Sequence, residues 1–409
     1  MYHSKKFSLL LLSVLLLSFN SCSLRNEEKP ILFPPRDLTL NEKSLVTSFN
    51  AFGLQLFSAL SQSDSAVNLF ISPLSVSMAL GMTMNGAADS TYKAMQTTLS
   101  LVGLTEAEIN ESYQSLVKLL IDLDPNINLL IANSIWYRTG LPVSPDFIKT
   151  DQNYFSAQVK ELNFLDPQAV SIINNWVNQK TNGAIQKIIK SIPSEMIMYL
   201  VNAIYFKGQW RTPFDKQNTS EGAFHNLDGS ESIIPLMSQE MLIACLFDER
   251  FTLVDIPYSD SLYSMTILLP NDNQTLSTVS TQIKQVTWNQ WISQLSPRRI
   301  QLTLPRFEIE YEKKLNEILS VLGMSIAFDP NRADFSRIAD VSENVYISEV
   351  KHKTYLKVDE KGTTAAAVTS VGIGVTSAPQ AITINRPFIL AIRENHSGTL
   401  LFIGKITTL

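Results

Sequence analysis

The sequence is poor in the residues that carry enzymatic or metal chemistry. Its 409 residues include four histidines and two cysteines, Cys22 and Cys245. Two cysteines cannot form a disulfide framework. The chain contains no H-E-x-x-H, C-x-x-C, P-loop or G-x-S-x-G motif. We therefore expect no metal, no cofactor and no enzymatic activity.

Charge is also scarce, since charged residues make up 17% of the chain and the formal net charge is −5. A nucleic-acid or anionic-membrane binder would show a basic excess, so neither partner is expected. The hydrophobic fraction is 45%, which supplies a large core and argues against global disorder.

Two isolated features are too weak to indicate dinucleotide binding or catalysis. Gly372 and Gly374 form a G-x-G, but Ser377 stands at the third glycine position and no βαβ unit surrounds it. His352 could pair with a serine in a surface hydrolase, although no nucleophile motif accompanies it. A buried histidine that hydrogen-bonds nearby polar groups is the favoured interpretation of His352.

The N-terminus is typical of an exported protein. Lys5 and Lys6 precede an uncharged, leucine-rich run over residues 7–19, which is shorter than the ~20 residues of a transmembrane helix. The run stops at Asn20-Ser21-Cys22, which resembles a bacterial lipoprotein signal, although Phe19 stands where a smaller aliphatic residue is usual. The alternative is an ordinary signal peptide that is cut nearby.

The lipoprotein resemblance implies a signal peptide over residues 1–21, a lipidated Cys22 and a tether over residues 22–40. It places the protein at the bacterial outer membrane or cell surface, joined to the membrane only by the lipid, with secretion as the alternative. Glu27 and Glu28 favour the surface. Cys245 lies in an apolar run and is expected to be a buried structural thiol.

Hydrophobic spacing and cap residues predict helices mainly in the first half of the chain. Ser72 with Pro73 predicts a helix start, and Thr105 with Glu108 predicts a capping box. The predicted helices are 44–60, 73–85, 89–101, 105–120, 144–155, 169–189, 275–295 and 315–322. The predicted strands are 127–137, 159–164, 196–206, several between 224 and 270, 299–307, 345–360, 380–393 and 399–406, with a turn over 207–210. This order of helices and strands indicates an α+β fold in one compact unit.

The stretch over residues 360–385 is unusual because no charged side chain lies between Lys361 and Arg386. Its residues are mostly small or β-branched, which suits a strand, and its glycines add flexible points. A connection of this length between two predicted strands is usually functional or disordered, and its lack of charge argues against disorder. We interpret it as a loop in one state and a strand in another, with a plain long surface hairpin as the alternative.

Five motifs in this order resemble those of the serpin family, and specifically the lipid-anchored serpins of gut and oral bacteria. They lie at residues 68–75 (NLFISPLS), 201–210 (VNAIYFKGQW), 359–367 (DEKGTTAAA), 385–388 (NRPF) and 401–405 (LFIGK). The resemblance covers residues 41–409 without large gaps. It implies several helices around three β-sheets, with an exposed reactive-centre loop over about 360–385.

The resemblance implies an inhibitor that is consumed as it acts. In inhibitory serpins a protease attacks the loop as bait and forms an acyl-enzyme, and the cut loop then inserts as a new strand into the central sheet. This implies irreversible inhibition of serine endopeptidases, with cysteine endopeptidases as a further target class. A non-inhibitory serpin that acts as a carrier or chaperone is the alternative.

The hinge of the loop is compatible with insertion. The resemblance assigns the hinge to Glu360, Gly362, Thr363, Thr364, Ala365, Ala366 and Ala367. If Thr363 faces the core of the sheet, alternate residues follow it inward. These inward residues are all small or apolar, namely Thr363, Ala365, Ala367, Thr369, Val371 and Ile373. A charge among them would cost on the order of several kcal/mol of burial, so we expect an active inhibitor.

Counting from the hinge locates the scissile bond. The resemblance implies that the hinge glutamate is the seventeenth residue before the bond, so with Glu360 at that position the bond joins Thr376 to Ser377. Val375 and Ile373 are alternative residues on its amino side. A β-branched, uncharged residue at this position suits elastase-like proteases with small apolar pockets, whereas trypsin-like proteases require Lys or Arg.

The resemblance also implies a polar cluster beneath the opening sheet, with Trp210 near the end where insertion begins. The cluster consists of Ser72, Ser75, Asn202 and His352, with Asn133 beside them. Buried, hydrogen-bonded side chains that exchange partners would let strands part without leaving donors unsatisfied. Ordinary core polarity explains the same residues.

No activating polysaccharide is expected. Some serpins bind heparin through basic residues on an early helix. Residues 88–101 of this chain carry Lys93 as their only basic side chain. We therefore expect no heparin activation, and we expect the protein to act as a monomer.

Overall fold

The structure is a computed structural model, and it describes residues 35–64, 68–342, 344–363 and 379–409. The predictions for the signal peptide, Cys22 and most of the tether fall on residues 1–34 and lie outside the described residues. The same is true of the hinge residues 364–367 and of the bait positions Ile373, Val375, Thr376 and Ser377. The start of the hinge, from Glu360 to Thr363, is described.

Side-chain caps determine where several helices begin. Thr39 and Glu42 form a capping box that starts the first helix at Leu40, earlier than the sequence predicts. The predicted cap at Ser72 and the predicted capping box at Thr105 are confirmed. The helices are α1 (Leu40–Ser63), α2 (Pro73–Asn85), α3 (Asp89–Thr98), α4 (Glu106–Asp122), α5 (Pro145–Phe155), α6 (Ala169–Lys180), α7 (Leu276–Ser280), α8 (Gln285–Ser293) and α9 (Asn316–Leu319).

The strands are concentrated in the second half of the chain. They are β1 (Leu69–Ile71), β2 (Asn128–Arg138), β3 (Gln158–Leu162), β4 (Met198–Gln209), β5 (Thr219–His225), β6 (Glu231–Phe247), β7 (Phe251–Tyr258), β8 (Tyr263–Pro270), β9 (Ser296–Pro305), β10 (Phe307–Lys314), β11 (Lys351–Val358), β12 (Gly362–Thr363), β13 (Gln380–Thr383), β14 (Phe388–Glu394) and β15 (Leu400–Ile406).

Among the described residues these strands form three sheets. A nine-stranded sheet has the order β1-β15-β14-β8-β7-β6-β9-β13, with β5 paired to β6. A four-stranded sheet has the order β12-β4-β2-β3, and β10 and β11 form a two-stranded sheet. The fold is therefore the α+β arrangement that the sequence predicts.

Strand β4 separates two hydrophobic cores because its side chains alternate between its faces. Ile204 and Phe206 point into the main core. Tyr199 and Val201 point into a second cluster that includes buried residues of α6. Helix α2 is buried along its length and contacts β4. It therefore lies beneath β4 on the main-core side, while α6 covers the opposite face.

Two predicted elements near this strand are wrong in extent. The sequence predicts a helix as far as residue 189, but α6 ends at Lys180 because Asn182 and Gly183 adopt left-handed φ values of 50° and 83°. The apolar residues beyond them are buried in the second core without being helical. The predicted turn over 207–210 is absent, because β4 continues to Gln209 and Trp210 bridges to Tyr258.

Other boundaries differ because a predicted element is interrupted. The helix predicted over 275–295 is divided into α7 and α8, and the one over 315–322 becomes α9 followed by a π turn. The strand predicted over 299–307 ends at Pro305, and β10 starts at Phe307 after a break at Arg306. Residues 345–350 carry no strand, and Pro387, which lacks an N–H, lies in the break between β13 and β14.

Candidate functional site

The main feature of the site is a gap between β4 and β11. Among the described residues β11 is hydrogen-bonded to β10 and not to β4, which pairs along most of its length with β2 on its other side. A cleft of about 440 Å³ opens here, lined by Leu200 and Asn202 of β4 and by His352 of β11. Ser75 and Val76 of α2 line it from beneath. Each strand therefore presents an edge that can pair with a further strand.

Four of the predicted cluster residues meet at the amino end of α2. Ser72 Oγ accepts the Ser75 backbone N–H at 3.2 Å. The Ser75 hydroxyl donates to Asn202 Oδ1, and Asn202 Nδ2 donates to Asn133 Oδ1. Asn133 Nδ2 donates to the Phe155 carbonyl at 2.6 Å. One chain of hydrogen bonds thus links α2 to β4, β2 and the end of α5.

His352 joins this cluster from the other side of the gap. Its Nε2 accepts the Ser72 backbone N–H at 3.1 Å, so the neutral ring carries its proton on Nδ1. The side chain is buried, and burial lowers the pKa of His352 to about 4. The ring is therefore an uncharged acceptor near neutral pH. Its acceptor nitrogen binds a backbone N–H rather than a serine hydroxyl, which does not favour the hydrolase alternative.

The start of the loop already pairs with β4. Strand β12 runs antiparallel to β4, with Gly362 opposite Gln209 and Thr363 opposite Gly208. Gly362 has a φ of +136°, and a Cβ there would lie 2.3 Å from the Gly208 carbonyl oxygen, so this position requires glycine. Thr363 is 4% exposed, and its Oγ1 lies 3.1 Å from the Tyr258 hydroxyl. The Thr363 side chain therefore faces the core.

Trp210 contacts the hinge at the end of β4, further along the strand than the polar cluster. Its indole N–H donates to the Asp359 carbonyl at 3.0 Å, and its backbone N–H donates to the Lys361 carbonyl at 3.0 Å. The indole ring stacks on Tyr258 with centroids 4.5 Å apart. The structure therefore separates Trp210 from the residues at α2, and it brings Trp210 and the hinge together.

Glu360 is buried beside the hinge and is bound from several directions. Its Oε1 accepts the Thr219 hydroxyl at 3.1 Å and lies 3.7 Å from Arg306 Nη1. Its carbonyl accepts the Phe214 N–H at 2.8 Å. The sequence did not identify Tyr258, Thr219 or Arg306 as site residues. They come from β7, β5 and the β9–β10 junction, and no local pattern signals contacts across such distances in the chain.

The part of the chain that the structure describes offers no reactive thiol, no group of metal-binding side chains and no membrane-spanning helix. Cys245 is buried, and burial raises the pKa of its thiol to about 12, which makes it unreactive. No group of three or more His, Cys, Asp or Glu side chains among the described residues could bind a metal ion. None of the described helices combines the length and the apolar character needed to cross a membrane.

Comparison with known proteins identifies the family. The family described as Serpin (serine protease inhibitor) matches residues 47–409. The chain is 33% identical to Serpin A3-2 of Bos taurus over 370 residues, which cover 89% of each protein. The protein therefore belongs to the serpin family. This membership supports protease inhibition as its general function, and serpins are not themselves catalytic enzymes.

Three solved structures share the fold. The thermophilic serpin tengpin in its native state is 34% identical with a TM-score of 0.83, covering 92% of this chain and 96% of that chain. Native protease nexin-1 with heparin is 28% identical with a TM-score of 0.82, covering 90% and 100%. Thyroxine-binding globulin in complex with thyroxine is 29% identical with a TM-score of 0.81, covering 88% and 98%. The serpin fold predicted from the sequence is thus confirmed.

Proposed function

We propose that this protein is an irreversible inhibitor of serine endopeptidases whose cleaved loop inserts between β4 and β11. The observation that carries the proposal is the pairing of β12 with β4. The loop meets β4 at the end of the gap, in antiparallel orientation and with Thr363 turned toward the core. Insertion would continue this pairing along the edge of β4.

The register of β12 specifies which loop residues would meet which residues of β4. Continuing the antiparallel pairing of Thr363 with Gly208 would place Ala365 opposite Phe206 and Thr369 opposite Asn202. Phe206 belongs to the main core, so its new neighbour would face the core as well. This alternation supports the prediction from the sequence that Thr363 and every second residue after it would face the core. The Thr369 hydroxyl would then meet the polar cluster at α2.

Insertion would be favourable because it would complete two strand edges. A strand in the gap would exchange backbone hydrogen bonds with β4 and β11, each worth roughly 1 kcal/mol net. The inward side chains are small or apolar, so no charge would be buried. A protease still joined to the loop through its acyl bond would be carried along and could not complete hydrolysis.

The bait favours elastase-like proteases. The bond assigned to Thr376 and Ser377 follows an uncharged, β-branched residue, and the same holds for the alternatives Val375 and Ile373. Such side chains fit small apolar pockets. Cysteine endopeptidases are a further target class, because their nucleophile also forms an acyl intermediate that insertion could trap.

A non-inhibitory carrier is the second candidate, because thyroxine-binding globulin in complex with thyroxine shares the fold. The open gap and the charge-free inward residues support inhibition instead. Protease nexin-1 was solved with heparin. In this chain α3 has Lys93 as its only basic side chain, and α4 carries Lys118 among four acidic side chains, so we propose that heparin does not activate it.

Incubation with an elastase-like serine protease tests the proposal. The wild-type protein should form a complex that is stable in SDS, and mass spectrometry of the released fragment should place the cut within residues 371–378. Thr363→Arg should be cleaved but should not trap the protease, because position 363 faces the core beside Tyr258, and a charge there would prevent the pairing with β4 from which insertion continues. The matched variant Thr364→Arg, whose side chain would face away from the main core, should still trap.

The outcomes separate the candidate functions. Cleavage of the wild-type loop without a stable complex would indicate a substrate or a carrier. Normal trapping by Thr363→Arg would contradict the insertion mechanism. A cut outside residues 371–378 would refute the assignment of the bait.

We also propose that the protein is exported and anchored through a lipid on Cys22 at the bacterial outer membrane or cell surface, with secretion as the alternative. The signal-like run that ends at Cys22 supports this. Metabolic labelling with an alkynyl fatty acid should mark the wild-type protein and not Cys22→Ser. An unlabelled wild-type protein would refute the anchor.

A further inference from the structure

A carboxyl group is buried where three helices meet. Asp151 of α5 is 0% exposed, and its Oδ1 accepts a hydrogen bond from Asn85 Nδ2 of α2 at 2.8 Å. The Oδ1 of the same Asn85 amide accepts a hydrogen bond from Asn110 Nδ2 of α4 at 3.0 Å. Both asparagines are buried as well. We call these three residues the Asp151 cluster, and it joins α5 to α2 and α4.

The Asp151 cluster lacks a hydrogen-bond donor. Asp151 Oδ2 and Asn110 Oδ1 are both buried, and neither has a hydrogen-bond partner among the described residues. Asp151 also has no ion-pair partner in the described part of the chain. An ionised carboxyl in this position would bury an unpaired charge, and an orphaned acceptor adds to that cost. One proton on Asp151 Oδ2 would remove the charge and turn an orphaned acceptor into a donor.

The surroundings of Asp151 favour its neutral form. Burial raises the pKa of Asp151 well above its usual value, the hydrogen bond from Asn85 lowers this pKa, and the negative charge of Glu106 raises it. Glu106 lies on α4, and Arg337 forms an ion pair with Glu106 at 2.7 Å rather than with Asp151. The nearest cation is therefore already engaged by another carboxylate.

The other elements packed against α5 bring no counter-charge to this carboxyl. Helix α2 carries no titratable side chain. On α4 the Tyr113 hydroxyl is hydrogen-bonded to Ser77. On β3 the side chains of Lys160 and Glu161 are exposed. The charge of an ionised Asp151 would thus stay uncompensated.

We propose that Asp151 is a proton-binding site of the folded protein, and that the bound proton stabilises the contact of α5 with α2 and α4 at neutral pH. The proposal does not depend on the proposed inhibition. Asp151 is also a positioning residue for the candidate site, because α5 ends one turn later at Phe155. The Phe155 carbonyl accepts the Asn133 Nδ2 hydrogen bond that ends the chain of hydrogen bonds from α2.

Infrared spectroscopy of the full chain at neutral pH tests for the proton directly. The wild-type protein should show the carbonyl band of a protonated carboxyl, and the band should shift when the aspartates are isotope-labelled. The band should be lost in Asp151→Asn. It should be retained in the matched variant Glu111→Gln, which removes an exposed carboxyl of α4. Absence of the band from the wild-type protein, or its persistence in Asp151→Asn, would overturn the proposal.

The pH dependence of unfolding measures the same proton. Because the pKa of Asp151 is raised in the folded state, the stabilisation by its proton is complete below about pH 4 and is lost as the pH rises toward that pKa. Asp151→Asn retains a neutral donor that does not titrate. Relative to this variant, the unfolding equilibrium constant of the wild-type protein, measured in urea, should rise up to about tenfold per pH unit above about pH 4.

The comparison of the two proteins isolates Asp151 from other titrating groups. His352 is present in both, so its titration cancels from the ratio of their unfolding constants. Glu111→Gln should follow the wild-type curve. A ratio of wild type to Asp151→Asn that stays constant between about pH 5 and pH 7 would show that Asp151 is ionised in the folded protein and would overturn the proposal.

Discussion

At the scale of single residues, protonation of His352 would break one hydrogen bond of the polar cluster. Its Nε2 accepts the Ser72 N–H, which belongs to the residue that caps α2. A protonated ring could only donate at that nitrogen, so protonation would break the contact. The same contact joins β11 to the amino end of α2. Acid should therefore weaken the attachment of β11 to α2 beside the gap.

The pH dependence of stability follows from the pKa of His352. Burial lowers this pKa from 6.5 to about 4, so the unfolded chain binds the proton more tightly. Neutral His352 makes its full contribution to the free energy of unfolding above about pH 6.5. Roughly 3 kcal/mol of that contribution is lost as the pH falls toward 4. His352→Gln keeps an acceptor for the Ser72 N–H without titrating. Its free energy of unfolding, measured in urea, should fall less over this range, and parallel curves for the two proteins would contradict the assignment.

Single residues were predicted from the sequence where their role is local. The caps at Ser72 and Thr105 depend on neighbours three residues away, and both were identified correctly. Thr363 and Tyr258 are 105 residues apart, and their contact exists only once β4, β7 and the hinge are assembled. The sequence could therefore suggest that Thr363 faces inward, but it could not name its partner.

At the scale of elements, β10 and β11 pair with each other along their whole length and form a separate two-stranded sheet. Their buried faces carry apolar residues, with Ile309 opposite Leu356, and also the polar His352 and Thr354. Their other faces carry cross-strand ion pairs: Lys351–Glu312 at 3.1 Å, Lys353–Glu310, and Lys357–Glu308 at 3.9 Å. Exposed pairs of this kind contribute little each, about 0–1 kcal/mol. Together with eight paired positions, they would keep the two strands in register if the neighbouring gap widened.

The errors in predicted elements have two physical causes, which are local backbone conformation and tertiary pairing. Residues 185–189 have apolar spacing that resembles a helix, but left-handed backbone at Asn182 and Gly183 ends α6 before them. Strand β4 extends past its apolar run because Gln209 pairs with Gly362. Periodicity reports which residues are buried, and it does not report which partners extend or interrupt an element.

At the scale of the whole molecule, the central sheet is divided, and the chain carries its own candidate for the missing strand. The four-stranded part includes β12, and the two-stranded part lies across the cleft. A protein arranged in this way would be kept from its most stable state by a barrier, and its persistence would be kinetic. Cutting the loop would free one end of the strand-forming segment and lower that barrier.

Much of this whole-molecule account was available from the sequence, because the uncharged stretch between Lys361 and Arg386 has strand composition without a predicted partner. The sequence alone did not indicate which strands this stretch would pair with. The pairing of Gly362 and Thr363 with β4 indicates that the stretch would insert antiparallel to β4. It also indicates which of its side chains would face the core. Pairing between strands far apart in the chain leaves no local signature, so only a three-dimensional structure can supply it.

Hydrogen exchange along β4 and β11, before and after the loop is cut by an elastase-like protease, tests the central claim most directly. In the intact protein the amides of Met198–Gln209 and Lys351–Val358 that face the gap should exchange quickly. After the cut they should become strongly protected, whereas Phe307–Lys314, on the far side of β11, should change little. If β4 and β11 exchange equally fast before and after the cut, the loop does not insert into this gap.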